Sequence, residues 1–170
     1  MAAGATYEPI ATTTLGSAAA SITLSSIPQT YTDLRVVALL RGTNAATTMS
    51  YDYDTNNTAD WSWTGLRGDG ASATSFRGTA GSNMNAFLCP GGTSASGLFS
   101  MLTVDLFSYT NSSNYKTTLA TSSQDMNGSG RVERAVTLQI GTTAINSFTL
   151  NASNTFAIGT TVTIYGIKAA

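Results

Sequence analysis

The chain has 170 residues, 42% of them hydrophobic and only 10% charged, with a formal net charge of −1. That length suits a single domain over residues 1–170, and the aromatic and β-branched content excludes a disordered chain. Only two lysines, Lys116 and Lys168, and no basic run exclude a nucleic-acid binder, and the longest apolar run, Val36–Leu40, is too short to span a membrane.

The N-terminal MAAGATYEPI has no basic segment followed by an apolar run, so no secretory signal is expected and synthesis in a cytoplasm is. Tyr7–Leu15 predicts a first strand, and Pro9 within it predicts a sheet edge. Ser21–Leu24 predicts a short second strand. The strongest strand pattern follows the turn at Ile27-Pro28-Gln29: Leu34, Val36, Ala38 and Leu40 share one face at period two, while Arg35, Val37, Leu39 and Arg41 share the other. Thr47–Tyr53 alternates with Met49, Tyr51 and Tyr53 on one side, and Asp54–Asp60 reads as a turn cluster. Trp61 and Trp63 share a strand face.

Gly65–Ser82 is dense in glycine and serine and predicts a long loop with one short strand around Phe76, free to touch partners or project outward. Asn85–Cys89 is a brief apolar segment closed by Pro90. Gly97–Tyr109 predicts a long strand, with Leu98, Leu102, Val104 and Leu106 on one face and Phe99, Met101 and Phe107 on the other. Tyr115–Ser122 alternates again, and Asn127–Gly130 (NGSG) predicts a hairpin turn. Arg131–Ile140 carries an apolar set of Val132, Val136, Leu138 and Ile140. Asn146–Leu150 and Phe156–Ile167 complete eight to ten strands with almost no helix. This pattern predicts an all-β fold: a single-domain antiparallel β-sandwich of the jelly-roll type, with Leu34–Leu40 and Gly97–Phe107 in its core.

Catalytic chemistry has few footholds. Histidine is absent, which removes Ser-His-Asp and Cys-His catalysis and the commonest transition-metal ligand. The single cysteine, Cys89, reads as a buried thiol. Carboxylates are Glu8, Glu133 and seven scattered aspartates. Asp52, Asp54 and Asn56 have the alternation of a calcium loop, but Asn57 stands where its turn glycine belongs and Trp63 where its bidentate glutamate belongs. Arg67-Gly68-Asp69 is a tripeptide that integrins read when it is exposed, and it is also ordinary turn chemistry. Sequons begin at Asn56, Asn111, Asn127 and Asn151. Tyr51, Tyr53, Trp61 and Trp63 could stack on a sugar or pack a core. No catalytic, cofactor-binding or metal-binding residue is expected, and the chain is not expected to be an enzyme.

The segments SITLSSIPQTYTDLRVVALLRG, SNYKTTLATSS, AINSFTLNASNTF and TTVTIYGIKAA resemble a group of small tailed-bacteriophage virion proteins. There an IPQTYTDL turn-strand, an NYK strand and a terminal YGIK strand recur in this order, and the resemblance runs from Tyr7 to Lys168. It implies a β-sandwich with a structural role in the virion. The expected function is a capsid decoration (cement) protein on the outer capsid surface, partnered by the major capsid protein and by copies of itself in a homotrimer. The alternative is a tail-fibre or head-fibre module that recognises a host glycan through the tryptophan-bearing strands.

Overall fold

A computed structural model describes residues 6–57, 61–81 and 87–168. Part of the Asp54–Asp60 turn cluster and the start of the Asn85–Cys89 segment lie outside these. Twelve strands and no helix are found among the described residues. They are β1 (Tyr7–Thr14), β2 (Ala19–Leu24), β3 (Asp33–Leu40), β4 (Thr48–Thr55), β5 (Trp61–Gly68), β6 (Ala73–Gly81), β7 (Phe87–Pro90), β8 (Ser100–Leu106), β9 (Lys116–Asp125), β10 (Gly130–Gln139), β11 (Phe148–Phe156) and β12 (Thr161–Ile167).

All pairings are antiparallel and build two sheets. The larger has eight strands in the order β1-β12-β3-β8-β9-β10-β5-β6; the smaller has four, β2-β11-β4-β7. They face each other as a β-sandwich. The strand richest in aliphatic residues, β3, is central in the large sheet, and β1, which carries Pro9, is its edge, as the missing N–H demands. At the end of β3 the Arg41 guanidinium donates to the carbonyls of Ser94, Ala95 and Leu98 and so holds the loop before β8.

The core lies between the sheets. Leu34, Val36, Ala38 and Leu40 of β3 meet Leu102, Val104 and Leu106 of β8 and Val162 and Ile164 of β12, all buried. From the small sheet come Ile22, Tyr51, Tyr53, Phe87, Phe148 and Leu150. Strand β8 is shorter than the predicted Gly97–Tyr109, because Gly97 has a positive φ of 84° and breaks extended geometry before Ser100.

The Gly65–Ser82 region corrects the sequence reading. It is not a long loop: β5 and β6 form a hairpin at the edge of the large sheet, with a short turn over Asp69–Ser72. Its glycines are seats for rings. A Cβ on Gly65 would come within 2.3 Å of the Phe76 ring, and one on Gly78 within 2.2 Å of the Trp63 ring. An aromatic side chain laid over a paired glycine covers backbone that would otherwise be bare, so these glycines belong inside strands. The predicted NGSG turn is present. Asn127 and Gly128 both have positive φ, the pair that a type I′ hairpin requires, and the Met126 N–H donates to the Ser129 carbonyl.

Candidate functional site

The inner face of the large sheet changes character along its width. Under β1, β12, β3 and β8 it is aliphatic. Under β9 and β10 it carries buried Lys116, Thr118, Ser122, Gln124, Glu133, Thr137 and Gln139. Each polar group there needs a partner, because a buried unpaired one costs about 1–3 kcal/mol, and most have one. The Tyr51 hydroxyl meets Ser122 Oγ at 2.8 Å, and the Tyr53 hydroxyl meets Thr118 Oγ1 at 2.5 Å. Gln139 pairs with Thr55 across the sandwich. Glu133, 1% exposed, accepts from Arg67 and Arg131 on its own face. Lys116 donates its ammonium to the backbone carbonyls of Asn111, Asn114 and Thr142.

This polar inner face turns the apolar set of β10 outward. Strand side chains alternate, so burying Glu133, Ala135, Thr137 and Gln139 places Val132, Val136 and Leu138 in solvent. Val132 is 58% exposed. Ladder register brings more apolar residues alongside. Leu39 of β3 sits opposite Met101 of β8, Met101 opposite Ser123, and Ser123 opposite Val132. Leu66 of β5, 68% exposed, lies opposite Arg134. The result is an outward band of Leu39, Met101, Val132, Leu66, Val136 and Leu138 on four strands, with Ser123 of β9 between Met101 and Val132. Two shallow depressions of about 450 Å³ each interrupt it, one lined by Leu39, Met101 and Val132, the other by Thr64, Arg77, Val136 and Leu138.

The rest of the outer surface differs. Towards β1 the large sheet is covered by a threonine ladder, with Thr12 and Thr163 at 3.0 Å and Thr14 and Thr161 at 2.9 Å. Arg35 grips Asp105 through two bonds of 2.6 and 2.9 Å and lies over the Tyr7 ring. The outer face of the small sheet shows serine, threonine, Asn151, Asp52 and Asp54, and none of the large exposed hydrophobics lies there.

The residues singled out in the sequence are mostly engaged in holding the fold. Tyr51, Tyr53 and Trp61 are buried; the Tyr53 ring stacks on Phe148 at 5.4 Å and meets Trp61 edge-on at 6.0 Å. Trp61 is thus closed to a sugar, and Trp63 is half-buried over Gly78. Cys89 is fully buried on β7, and burial pushes its thiol up to about 12 against a smaller pull from Arg41. Asp52 accepts from the Asn151 amide at 3.0 Å, and Asn56 braces the loop before β11 through Ala144, Asn146 and Ser147. Among the described residues, no three of the side-chain types Cys, Asp and Glu gather into a metal-holding group.

Arg67 of the Arg-Gly-Asp tripeptide turns to Glu133 and packs over the Phe76 ring at 4.9 Å. Asp69 accepts from the N–H groups of Ser72 and Ala71, which hold its carboxyl below the usual range. The tripeptide is a turn brace in this fold. Of the sequon asparagines, Asn56 and Asn151 are half-buried and bonded, Asn111 accepts from Ser113 and Asn114, and Asn127 sits at the exposed hairpin turn.

Ser113 and Lys116 have the S-x-x-K spacing, which corrects the expectation that neither lysine lies in such a motif. The three protons of the Lys116 ammonium all go to carbonyls, so it offers no lone pair to a serine. Lys168 is paired with Glu8 at 2.9 Å and lies over the Tyr31 ring.

No family model matches the chain, no curated protein matches its sequence, and no solved structure matches its fold.

Proposed function

We propose that this chain is a bacteriophage virion structural protein, a capsid decoration protein that binds the outer capsid surface and stabilises the shell. The observation that carries the reading is the outward apolar band centred on β10. A free-standing protein gains nothing by holding Val132, Val136 and Leu138 in water while it buries Glu133 and Gln139. A protein seated on a larger surface does, because docking removes that band from water and couples its binding energy to the assembled shell. The resemblance of the IPQTYTDL, NYK and YGIK segments to phage virion proteins supports the same reading, and so does the low charge, which weakens repulsion between crowded copies.

In this reading eight strands make a jelly roll. Along the chain β1, β2, β3, β4, β7, β8, β11 and β12 change sheet at every step except β4 to β7, in the orders β1-β12-β3-β8 and β2-β11-β4-β7, and that order supports the assignment. Two hairpins, β5-β6 and β9-β10, widen one sheet, and the band lies chiefly on that extension. The test compares heads assembled with and without the protein. Heads lacking it are expected to release their DNA at a lower temperature and to regain stability when the purified protein is added back. Equal stability with and without it would overturn the proposal. The glycan-binding alternative has lost Trp61 to the core and keeps Trp63, half-buried, in the lining of the depression beside Val136.

A further inference from the structure

Arg134 stands within the outward band and Arg77 at its margin on the edge strand β6, and they take part in none of the four ion pairs found among the described residues. Arg134 lies between Thr121 of β9 and Leu66 of β5, and Arg77 lies beside Thr64. They are two strands and one pleat repeat apart, about 12 Å by ordinary strand spacing. Every other arginine is engaged: Arg35 with Asp105, Arg41 with three carbonyls, Arg67 and Arg131 with Glu133. The two unpaired guanidinium groups are therefore concentrated on the one face that is also apolar.

We infer that this face docks on a protein surface that presents carboxylates spaced to meet Arg77 and Arg134, with apolar side chains between them to fill the depressions beside Val132 and Val136. This rests on the decoration reading and names the face and the chemistry of its partner. Apolar area supplies the attraction. The arginines set the register, since a guanidinium desolvated without a carboxylate would oppose docking.

A second copy is the wrong occupant on two counts. A two-fold contact through this face would bring four arginines together against only two unpaired carboxylates, the Asp125 of each copy in the depression beside Val132. A head-to-tail contact with the opposite face would meet Asp52 and Asp54, the only charged residues on the strands of the small sheet. That face carries no exposed large hydrophobic residue to enter the depressions, and contact between opposite faces of a sandwich propagates without closing into a ring.

The experiment binds purified protein to head shells assembled without it, at low and high salt, and counts bound copies. The doubly substituted Arg77→Glu/Arg134→Glu protein is expected to bind about thirtyfold more weakly or worse, as for truncated interfacial charge pairs. Val136→Glu should lose binding similarly, Thr23→Lys on the small sheet should bind as the unchanged protein does, and salt should weaken binding. Unfolding midpoints of the free variants verify that each is folded. Unchanged binding by the arginine variant overturns the assignment of the face and leaves the decoration reading standing. No binding by the unchanged protein removes that reading and the inference with it. An oligomer in solution that the arginine or Val136 variants break apart would make the occupant another copy and also overturn the inference.

Discussion

Strands β3 and β10 belong to the same sheet, alternate with the same period, and point their apolar sets in opposite directions. On β3, Leu34, Val36, Ala38 and Leu40 face the small sheet; on β10, Val132, Val136 and Leu138 face water. The difference lies in what is opposite. Strand β3 faces the core that it shares with Ile22, Phe148 and Leu150 of the small sheet, where only apolar contact is on offer. Strand β10 looks onto the hydroxyls of Tyr53 and Thr55 and has the side chain of Arg67 beside it on β5, all of which ask for hydrogen-bonding partners. Period tells which residues share a side, and only the facing surface tells which side goes in.

The comparison can be broken first at Glu133. Glu133→Ala leaves Arg67 and Arg131 facing each other without their carboxylate, and breaking a buried ion pair costs about 3–5 kcal/mol. Urea unfolding of the free protein should show a loss of that size; a loss under about 1 kcal/mol would mean that Glu133 does not anchor the facing of β10. Next come matched truncations on the two strands. Leu34→Ala should cost about 2–5 kcal/mol, as for other buried leucines, whereas Val136→Ala should stay within about 0.5 kcal/mol in the free protein. Equal costs would erase the distinction between the strands.

Tyr53→Phe removes the hydroxyl that meets Thr118 and should cost about 1–2 kcal/mol, with the aromatic stack on Phe148 kept. Near-ultraviolet circular dichroism would check that the stack survives. The smallest effect belongs to the small sheet. Burial raises the Asp52 carboxyl above its ordinary range, the Asn151 amide opposes this, and Asp54 adds to it. A raised carboxyl binds its proton more tightly folded than unfolded, so its charged form is a penalty at neutral pH. That penalty is relieved as pH falls through the folded pKa towards the unfolded value. Asp52→Asn should therefore raise the unfolding midpoint slightly at pH 7 and shrink the difference from the unchanged protein near pH 4. A midpoint that falls at pH 7 would contradict this.

The elements that were legible in the sequence are those whose facing was forced. Leu34–Leu40, Met49–Tyr53 and the NGSG turn all stand where alternation or turn chemistry puts them. The β5–β6 hairpin was not legible. Gly65 and Gly78 look like breaks in a pattern until Phe76 and Trp63 are known to lie across them, and that pairing is set by strand register between positions 11 and 15 residues apart. The outward band was hidden for a related reason. Nothing local to Arg131–Ile140 states that Glu133 meets Arg67 on the next strand, or that Gln139 reaches Thr55 in the other sheet. A strand that looks like core material in isolation becomes surface once its polar half is claimed from across the sandwich.

The lone thiol of Cys89 has a use that follows from its place. It lies on a four-residue strand paired only with β4, at the margin of the small sheet, and alkylating reagents cannot reach it while that strand stays seated. Its modification by a maleimide in native buffer would therefore time the excursions in which β7 peels away. Slower labelling on an assembled head than in free solution would record, at one atom, how far docking quietens the far side of the molecule.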